Sequence, residues 1–254
     1  MGTPAIATTF DLYPLRFRFA SCKLRDFSTN TVRGAFGSAL KTIDAGAYAR
    51  YFAPRAVAGT GPSGLADPPR PFVFRMLGPL EVGLNLFLPR EPAVGLFTRL
   101  MEELGTLRSV TGEEPLRFSL CAGSAPIHRV RVRFLTPTEL KGAEQPEFGI
   151  LLARIRDRVS TLRELYGDGP LEIDFKAFGE RASRVATTRC ELLPIAADRT
   201  SRSTGQRHSL GGFTGVVEYE GELTEFLPYL EIARWTGVGR QTVWGKGEIA
   251  YETF

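Results

Sequence analysis

The sequence predicts an α+β protein made of two tandem β-α-β-β-α-β units, each an antiparallel sheet with helices on one face. Three observations support this prediction. Near the start of the chain, apolar residues alternate with arginines, as in Leu15, Phe17 and Phe19, which is typical of a half-buried strand. Between positions 32 and 43, apolar residues recur at helical spacing. The same order of strands and helices then appears again after residue 126.

The predicted elements are short periodic segments separated by Gly, Pro and polar residues. In the first unit they are a strand at 13–20, a helix at 30–43 with Asn30 as its N-cap, strands at 72–76 and 80–88, a helix at 93–104 and a strand at 115–121. In the second unit they are a strand at 128–135, a helix at 147–165, strands at 183–193 and 213–220, a helix at 223–233 and a strand at 248–254. We therefore predict two domains, 1–125 and 126–254, the second with a glycine-rich loop at 236–247.

Composition limits the class of protein. The 254 residues include 32 Lys and Arg against 28 Asp and Glu, and the resulting charge of +4 permits a polyanionic partner. Cys22, Cys121 and Cys190 are far apart and odd in number, so neither a disulfide framework nor a cysteine metal site is predicted. The chain has no signal-peptide pattern and no apolar run long enough for a membrane span. We expect a soluble, cytoplasmic protein without a membrane partner.

The densest motif is the loop T-G-V-G-R-Q-T-V-W-G-K-G at 236–247. Glycines let backbone amides approach a ligand closely, and successive amides can form an anion-binding concavity. We predict that the loop binds a phosphate-rich partner, a nucleic acid rather than a nucleotide, because the chain has no Walker pattern. The predicted contacts are Gly237, Gly239, Arg240, Gly245, Lys246 and Gly247. The alternative is a tight turn between elements. We expect Trp235 and Trp244, beside and within the loop, to anchor core packing.

Three arginines alternate with apolar residues at the start of the second unit. Arg129, Arg131 and Arg133 would lie on one face of the predicted strand, where guanidinium groups can follow a phosphate backbone or stack on bases. This pattern is a stronger nucleic-acid signal than the net charge. The structural alternative is that the arginines pair with acidic residues on neighbouring strands.

Four segments carry a family resemblance. They are T-V-R-G-A-F-G-S-A-L-K in the first predicted helix, R-V-R-V-R-F-L-T-P-T-E-L-K-G from Arg129, R-H-S-L-G-G-F-T-G-V-V-E-Y-E-G from Arg207, and the glycine-rich loop. In this order they resemble the CRISPR repeat-processing endoribonucleases of the repeat-associated RNA-binding superfamily, over nearly the whole chain. The resemblance implies two ferredoxin-like domains that bind the repeat part of precursor guide RNA and cut it once per repeat, without a metal or cofactor.

The implied reaction is attack of a ribose 2′-hydroxyl on the adjacent phosphate, which leaves a 2′,3′-cyclic phosphate and a 5′-hydroxyl. It needs a base, an acid and cations beside the phosphorane. His208 is the leading candidate for proton transfer, because imidazole exchanges a proton near neutral pH. Arg202 and Arg207 lie near it in the sequence and are expected to contact RNA. The alternative is that His208 is a loop residue that only contacts RNA phosphate. His128 is expected to be an ordinary strand-end residue.

The family usually carries a catalytic histidine in its first domain, but this sequence has no histidine before His128. Some relatives use lysine, arginine and tyrosine instead. Lys41 is then the catalytic candidate of the first domain, on a basic helix stripe with the RNA contact Arg33 and with Gly37 between them. Tyr48 and Tyr51 are further catalytic candidates. The alternatives are a solvated helix face for Lys41 and core packing for the tyrosines.

Two functions fit these features. One is a metal-independent endoribonuclease for CRISPR repeat RNA, with a CRISPR effector complex as a further expected partner. The other is a non-catalytic subunit of such a complex that binds guide RNA. They differ in whether a proton-transfer group and cations converge on one phosphate.

Overall fold

The computed structural model describes residues 8–54, 68–89, 93–112, 114–140, 145–196, 198–200, 207–209 and 211–254, and for 198–200 and 207–209 only the backbone. The first unit contains β1 (Thr9–Cys22), α1 (Thr29–Ile43), α2 (Ala45–Ala47), a π-helical turn (Tyr48–Phe52), β2 (Phe72–Gly78), β3 (Glu81–Leu86), α3 (Ala93–Leu104), β4 (Gly105–Gly112) and β5 (Leu116–Ser119). The second unit contains β6 (Arg129–Thr138), α4 (Phe148–Tyr166), α5 (Phe175–Ala182), β7 (Ala186–Ile195), β8 (Asp198–Thr200), β9 (Arg207–Ser209), β10 (Gly212–Glu220), α6 (Leu227–Thr236) and β11 (Ile249–Thr253). The second unit also has two 3₁₀ turns: Thr224–Phe226 precedes α6, and Thr242–Trp244 lies within the glycine-rich loop.

The two main sheets have the same topology. The first has the order β2-β3-β1-β4, and the second has the order β11-β6-β10-β7. All of these pairings are antiparallel. In each unit the first strand lies between the last strand and the third, with the second strand at an edge. This is the ferredoxin-like arrangement, so the predicted fold class of two tandem ferredoxin-like domains is confirmed.

The closing strand of the first unit differs from the prediction. We expected it at 115–121, but β4 takes that place and pairs with β1 from Leu15 to Cys22. The predicted segment contains β5, which pairs with the start of β1, from Thr9 to Leu12. β1 is long enough for both partners. The sequence of β4, G-T-L-R-S-V-T-G, has too few apolar residues for its strand pattern to be recognised.

Two helix features were also missed. Ser28, not Asn30, is the N-cap of α1, because the Ser28 hydroxyl accepts a hydrogen bond from the Thr31 amide at 3.4 Å. α5 was not predicted, since its eight residues include only two that are fully buried. The other predicted helices coincide with α3, α4 and α6 to within a few residues.

Alternation along β1 explains how the units pack together. Its odd positions, such as Leu15 and Phe17, face α1 and α3 in the first hydrophobic core. Its even positions Phe10 and Leu12 join the core of the second unit instead, together with Val73. The second core therefore extends across the junction and holds the two units together by apolar burial. The predicted division at 125/126 falls between β5 and β6 and stays a prediction.

In the part of the chain that the structure covers, none of the helices combines the length and the apolar character needed to cross a membrane.

Candidate nucleic-acid interface

The basic stripe predicted on α1 is not formed, because two of its three members are buried. Arg33 is only 7% exposed, and its guanidinium lies 4.6 Å from the ring centre of Phe52 and 5.0 Å from that of Trp244. Gly37 packs against the Phe52 ring so closely that a Cβ would collide with it. Lys41 alone is exposed, in the last turn of the helix. Arg33 therefore cannot contact RNA phosphate in this conformation, whereas Lys41 can.

The two candidate tyrosines lie in the π-helical turn that follows α1. The Tyr48 ring is half-buried and stacks on Phe52 with centroids 5.2 Å apart. Tyr51 is 3% exposed and packs edge-on against Phe97 in the first core. Tyr51 thus follows the structural alternative, and a phosphate cannot reach its phenol. π-helical turns are rare and frequently occur at functional sites. Of the two tyrosines, Tyr48 therefore stays the candidate, because its ring is not fully buried.

The glycines of the glycine-rich loop are required by backbone geometry and close packing. Gly237, Gly239, Gly245 and Gly247 all have positive φ, a region that disfavours side chains. A Cβ on Gly247 would collide with the Val238 carbonyl, and one on Gly245 would lie 2.7 Å from the Thr29 side chain. The glycines therefore let the loop fold onto itself and onto α1.

Several amides of the loop are already engaged by the protein. The Gly247 amide donates to the Pro137 carbonyl at 3.1 Å, and the Arg240 amide donates to the Glu139 carbonyl at 3.1 Å. The Val238 amide donates to the Gly247 carbonyl at 2.8 Å. The first two bonds hold the loop against the end of β6, and the third closes the loop on itself. The predicted anion-binding concavity is thus wrong for these three amides.

The side chain of Lys246 points under the loop backbone and is shielded from solvent. It is 3% exposed, and its Nζ donates to Glu139 Oε2 at 3.2 Å, Gln241 Oε1 at 3.0 Å and the Gly211 carbonyl at 2.6 Å. Burial lowers the pKa of Lys246, and the hydrogen bond to Glu139 opposes that shift. The three acceptors match the three donors of an ammonium group. The predicted RNA contact of Lys246 is therefore replaced by a structural role.

Arg240 is the exposed cation of the loop. Its side chain is 64% exposed, and its Nη1 donates to the other carboxylate oxygen of Glu139 at 2.8 Å. One carboxylate therefore pairs with both basic residues of the loop. Glu139 was not predicted as a partner of these two residues. It lies in the segment from Arg129, one of the four that carry the family resemblance.

The loop is fixed at its start by residues that the sequence analysis also missed. The Asn85 amide donates to the Trp235 carbonyl at 3.0 Å, and Arg158 Nε donates to the Thr236 carbonyl at 3.1 Å. These bonds satisfy carbonyl groups that a helix end leaves without partners. Burial, reinforced by the nearby positive charge of Arg75, lowers the pKa of Arg158 to about 10. Both units thus contribute side chains that hold the end of α6.

The arginines of β6 form ion pairs across the sheet. Arg131 donates to Glu218 Oε1 on β10 at 3.0 and 2.8 Å, and Arg133 pairs with Glu252 on β11. Arg129 lies 3.5 Å from Glu218. Arg131 is the main cause of the lowered pKa of Glu218. The structural alternative holds for all three arginines, and their face carries interleaved charges of both signs rather than a basic track.

The histidine candidates have different positions. The backbone of His208 pairs with Arg199 in the β8–β9 hairpin, and its side chain and that of Arg207 lie outside the described part of the structure, as does all of Arg202. His128 precedes β6, is exposed, and has its Nδ1 3.4 Å from Glu222 Oε1. This position agrees with an ordinary strand-end residue.

α1 and the π-helical turn that follows it thus meet the glycine-rich loop, which is remote from both in sequence. On these segments Lys41 and Arg240 are exposed and Tyr48 is half-buried, and the guanidinium of Arg70 lies 5.3 Å from the ring centre of Phe52. Cations and a phenol can hold a phosphate and stabilise charge on it.

Residues 132–249 match the family model for the CRISPR-associated endoribonuclease Cas6. This match spans a little under half of the chain, and in this region the sequence is similar to the Cas6 endoribonucleases. The matched region runs from β6 through the His208 hairpin and the glycine-rich loop to the start of β11. No curated protein matches the sequence.

Solved Cas6 structures share the whole fold. A product complex of Cas6 superimposes with a TM-score of 0.59 at 17% identity and covers 96% of this chain and 99% of its own. Cas6 from Thermus thermophilus gives a TM-score of 0.58 at 17% identity over 97% of this chain and 100% of its own. A Cas6b crystal structure gives 0.51 at 11% identity over 94% and 99%. At these identities, the likeness establishes the tandem ferredoxin-like fold of this chain.

Proposed function

We propose that this protein is a metal-independent endoribonuclease that binds CRISPR repeat RNA and cleaves precursor guide RNA within each repeat. The observation that carries the proposal is the Cas6 family match over 132–249, a region that contains both His208 and the glycine-rich loop. The shared fold with a Cas6 solved as a product complex supports it.

The proposed reaction is an internal transesterification. The 2′-oxygen forms a bond to phosphorus as its proton passes to a base, and the bond from phosphorus to the 5′-oxygen breaks as that oxygen receives a proton from an acid. The products are a 2′,3′-cyclic phosphate and a 5′-hydroxyl, and no external reactant is consumed. Positioned cations stabilise the extra negative charge of the phosphorane.

We assign proton transfer to His208, since an imidazole can serve as either base or acid near neutral pH. Lys41 is the proposed cation beside the phosphate, because it is exposed where Arg33 is not. Tyr48 is the proposed phenol, since its ring is half-buried and accessible from one side. Arg240, Arg202 and Arg207 are the proposed contacts to the RNA backbone, a role that suits the planar guanidinium group.

The second candidate function is a non-catalytic subunit that binds guide RNA. It is favoured by the burial of Tyr51, one of the predicted catalytic residues, which leaves fewer groups for chemistry in the described part of the structure. A structural neighbour, a partial Cas6-RT-Cas1–Cas2 complex with a TM-score of 0.52 at 13% identity, covers 99% of this chain and 47% of its own. A larger CRISPR assembly is therefore a proposed partner under either function.

Product analysis separates the two functions. Purified protein is incubated in EDTA with end-labelled RNA that contains one repeat of the neighbouring CRISPR array. A matched RNA with a 2′-deoxy nucleotide at the cleavage site is the control, since it lacks the attacking hydroxyl. We expect one cut, a cyclic phosphate and a 5′-hydroxyl, with no cut in the control. Tight binding without cleavage would establish the non-catalytic function, and a cut that requires a divalent metal would contradict the proposed mechanism.

A further inference from the structure

Arg33 joins three segments of the chain, although the proposed reaction gives it no chemical step. It lies in the first turns of α1, and its guanidinium lies over the ring of Phe52 in the π-helical turn and over the ring of Trp244 in the glycine-rich loop. The distances to the two ring centres, 4.6 and 5.0 Å, are within the range of cation–π contact. We call Phe52, Arg33 and Trp244 the Arg33 stack.

On one side, the Arg33 stack fixes the π-helical turn. The carbonyl of Phe52 accepts a hydrogen bond from Arg70 Nε at 2.6 Å, and its ring packs on Gly37 of α1. Tyr48 stacks on the same ring with an interplanar angle of 26°. Any shift of Phe52 would therefore move the Tyr48 phenol.

On the other side, the stack fixes the glycine-rich loop. Val243, next to Trp244, is 8% exposed and belongs to the hydrophobic core of the first unit. Gly245, the residue after Trp244, packs against the Thr29 side chain at the start of α1. The loop of the second unit is thus inserted into the first unit, and Arg33 lies where the two meet.

We infer that Arg33 is a positioning residue that holds the Tyr48 phenol in place relative to the glycine-rich loop and does not contact RNA. This inference rests on the proposed function. The stack requires arginine, because a planar guanidinium covers two aromatic rings at once, whereas the ammonium of lysine is a compact point charge that is more strongly hydrated. Arg33→Lys keeps the charge and removes the planar group.

The first test compares Arg33→Lys with Arg99→Lys, a matched change at an exposed position on α3. Single-turnover cleavage by Arg33→Lys should be slower by about 10-fold or more, because small displacements of reacting groups cost large factors in rate. The Kd for the 2′-deoxy repeat RNA should stay within about 2-fold of wild type, with the same salt dependence. Arg99→Lys should match wild type in both. A weaker Kd with a smaller salt slope in Arg33→Met, which removes the charge, would make Arg33 a phosphate contact and overturn the inference.

A second measurement does not depend on activity. The chain has two tryptophans, so Trp235→Phe leaves Trp244 as the only tryptophan fluorophore. In that background, Arg33→Lys should increase acrylamide quenching of Trp244, and Arg99→Lys should not. Unchanged quenching would show that Arg33 does not hold the loop, even if wild-type protein fails to cleave RNA. Absence of wild-type cleavage together with increased quenching would reject the proposed endoribonuclease function and keep the structural role of the stack.

The double variant Arg33→Lys with Trp244→Leu provides a final check. If the stack acts as one unit, the cleavage rate of the double variant should be no lower than that of the slower single variant. Additive losses would mean that the two residues act separately, which contradicts the inference.

Discussion

Lys246 and Glu139 form an ion pair beneath the glycine-rich loop, with 3.2 Å between Nζ and Oε2. The same carboxylate binds the exposed Arg240 through its other oxygen at 2.8 Å. Glu139 therefore links the end of β6 to both basic residues of the loop. Lys246 also binds the Gly211 carbonyl, three residues after His208. The loop and the hairpin that carries His208 are thus connected through one buried ammonium group.

This arrangement predicts unequal effects for the two basic residues of the loop. Lys246→Met should lower the free energy of unfolding by about 2–4 kcal/mol, since it leaves buried acceptors without a donor. Arg240→Met is the matched control at the same carboxylate, and its loss should stay below about 1 kcal/mol because the pair is exposed. Urea denaturation of both variants measures the difference. Equal losses would contradict the structural role of Lys246.

Glycine substitutions test the close packing of the loop. Gly247→Ala should destabilise the protein by about 2 kcal/mol or more, because φ is positive and the new Cβ meets the Val238 carbonyl. Gly95→Ala, on an exposed face of α3 with open space around it, should be neutral or stabilising by up to about 1 kcal/mol. Thermal and denaturant unfolding curves give both values. A stable Gly247→Ala variant would mean that the loop does not need its tight conformation.

The paired arginines of β6 should contribute little to RNA affinity. Arg131→Met and Arg133→Met are expected to leave the slope of log affinity against log salt unchanged, because Glu218 and Glu252 already neutralise these side chains. Lys41→Met is the comparison, and its loss of one phosphate contact should reduce the slope by about 1. Binding to the 2′-deoxy RNA is measured across a salt series. A reduced slope in the arginine variants would mean that these arginines do contact RNA phosphates, as the sequence predicted.

The two histidines should differ in their effect on catalysis. His208→Ala should slow single-turnover cleavage by about 10²–10⁴-fold, the usual contribution of a positioned acid or base. His128→Ala should cleave at the wild-type rate, since His128 is an exposed residue paired with Glu222. A wild-type rate in His208→Ala would assign proton transfer to another residue.

Stability should depend on pH through Asp11. Arg117 Nε and Nη2 donate to the two Asp11 oxygens at 2.8 and 2.7 Å, and the hydrogen bonding from Arg117 lowers the Asp11 pKa. The pair therefore contributes its stability above the unfolded-state pKa of about 3.9, and that contribution is lost as pH falls through the lower folded-state value. The contribution should be small, because Arg117 is largely exposed and solvent screens the pair.

Denaturation at pH 7 and at successively lower pH measures this contribution. Asp11→Asn and Arg117→Met should each remove the same acid-dependent component, since either change abolishes the pair. A component that survives in one variant but not the other would assign it to a different carboxylate.

The sequence predicted most of the fold because its evidence is local. Alternation places Leu15 and Phe17 on one face of β1, and spacing of three and four residues places Phe36 and Leu40 on one face of α1. Such patterns need only neighbouring residues. β4 was not predicted because backbone pairing with β1, rather than an apolar pattern of its own, holds it in the sheet.

The candidate site was predicted less well, because exposure depends on partners that are remote in sequence. Arg131 meets Glu218 across a separation of 87 residues, and Lys246 meets Glu139 across 107. The spacing of residues along the chain does not reveal ion pairs between such distant positions. Within the sequence, Arg33 and Lys41 are equivalent members of one basic stripe. In the folded protein, Phe52 and Trp244 cover Arg33, whereas Lys41 stays exposed.

The sequence by itself determined the two β-α-β-β-α-β units, the family resemblance and the glycine-rich loop, since each depends on residue type and short spacing. The tertiary structure decided which cations face solvent. Burial of a charge is favourable only where aromatic faces or carboxylates converge on it, and that convergence exists only after both units have folded together.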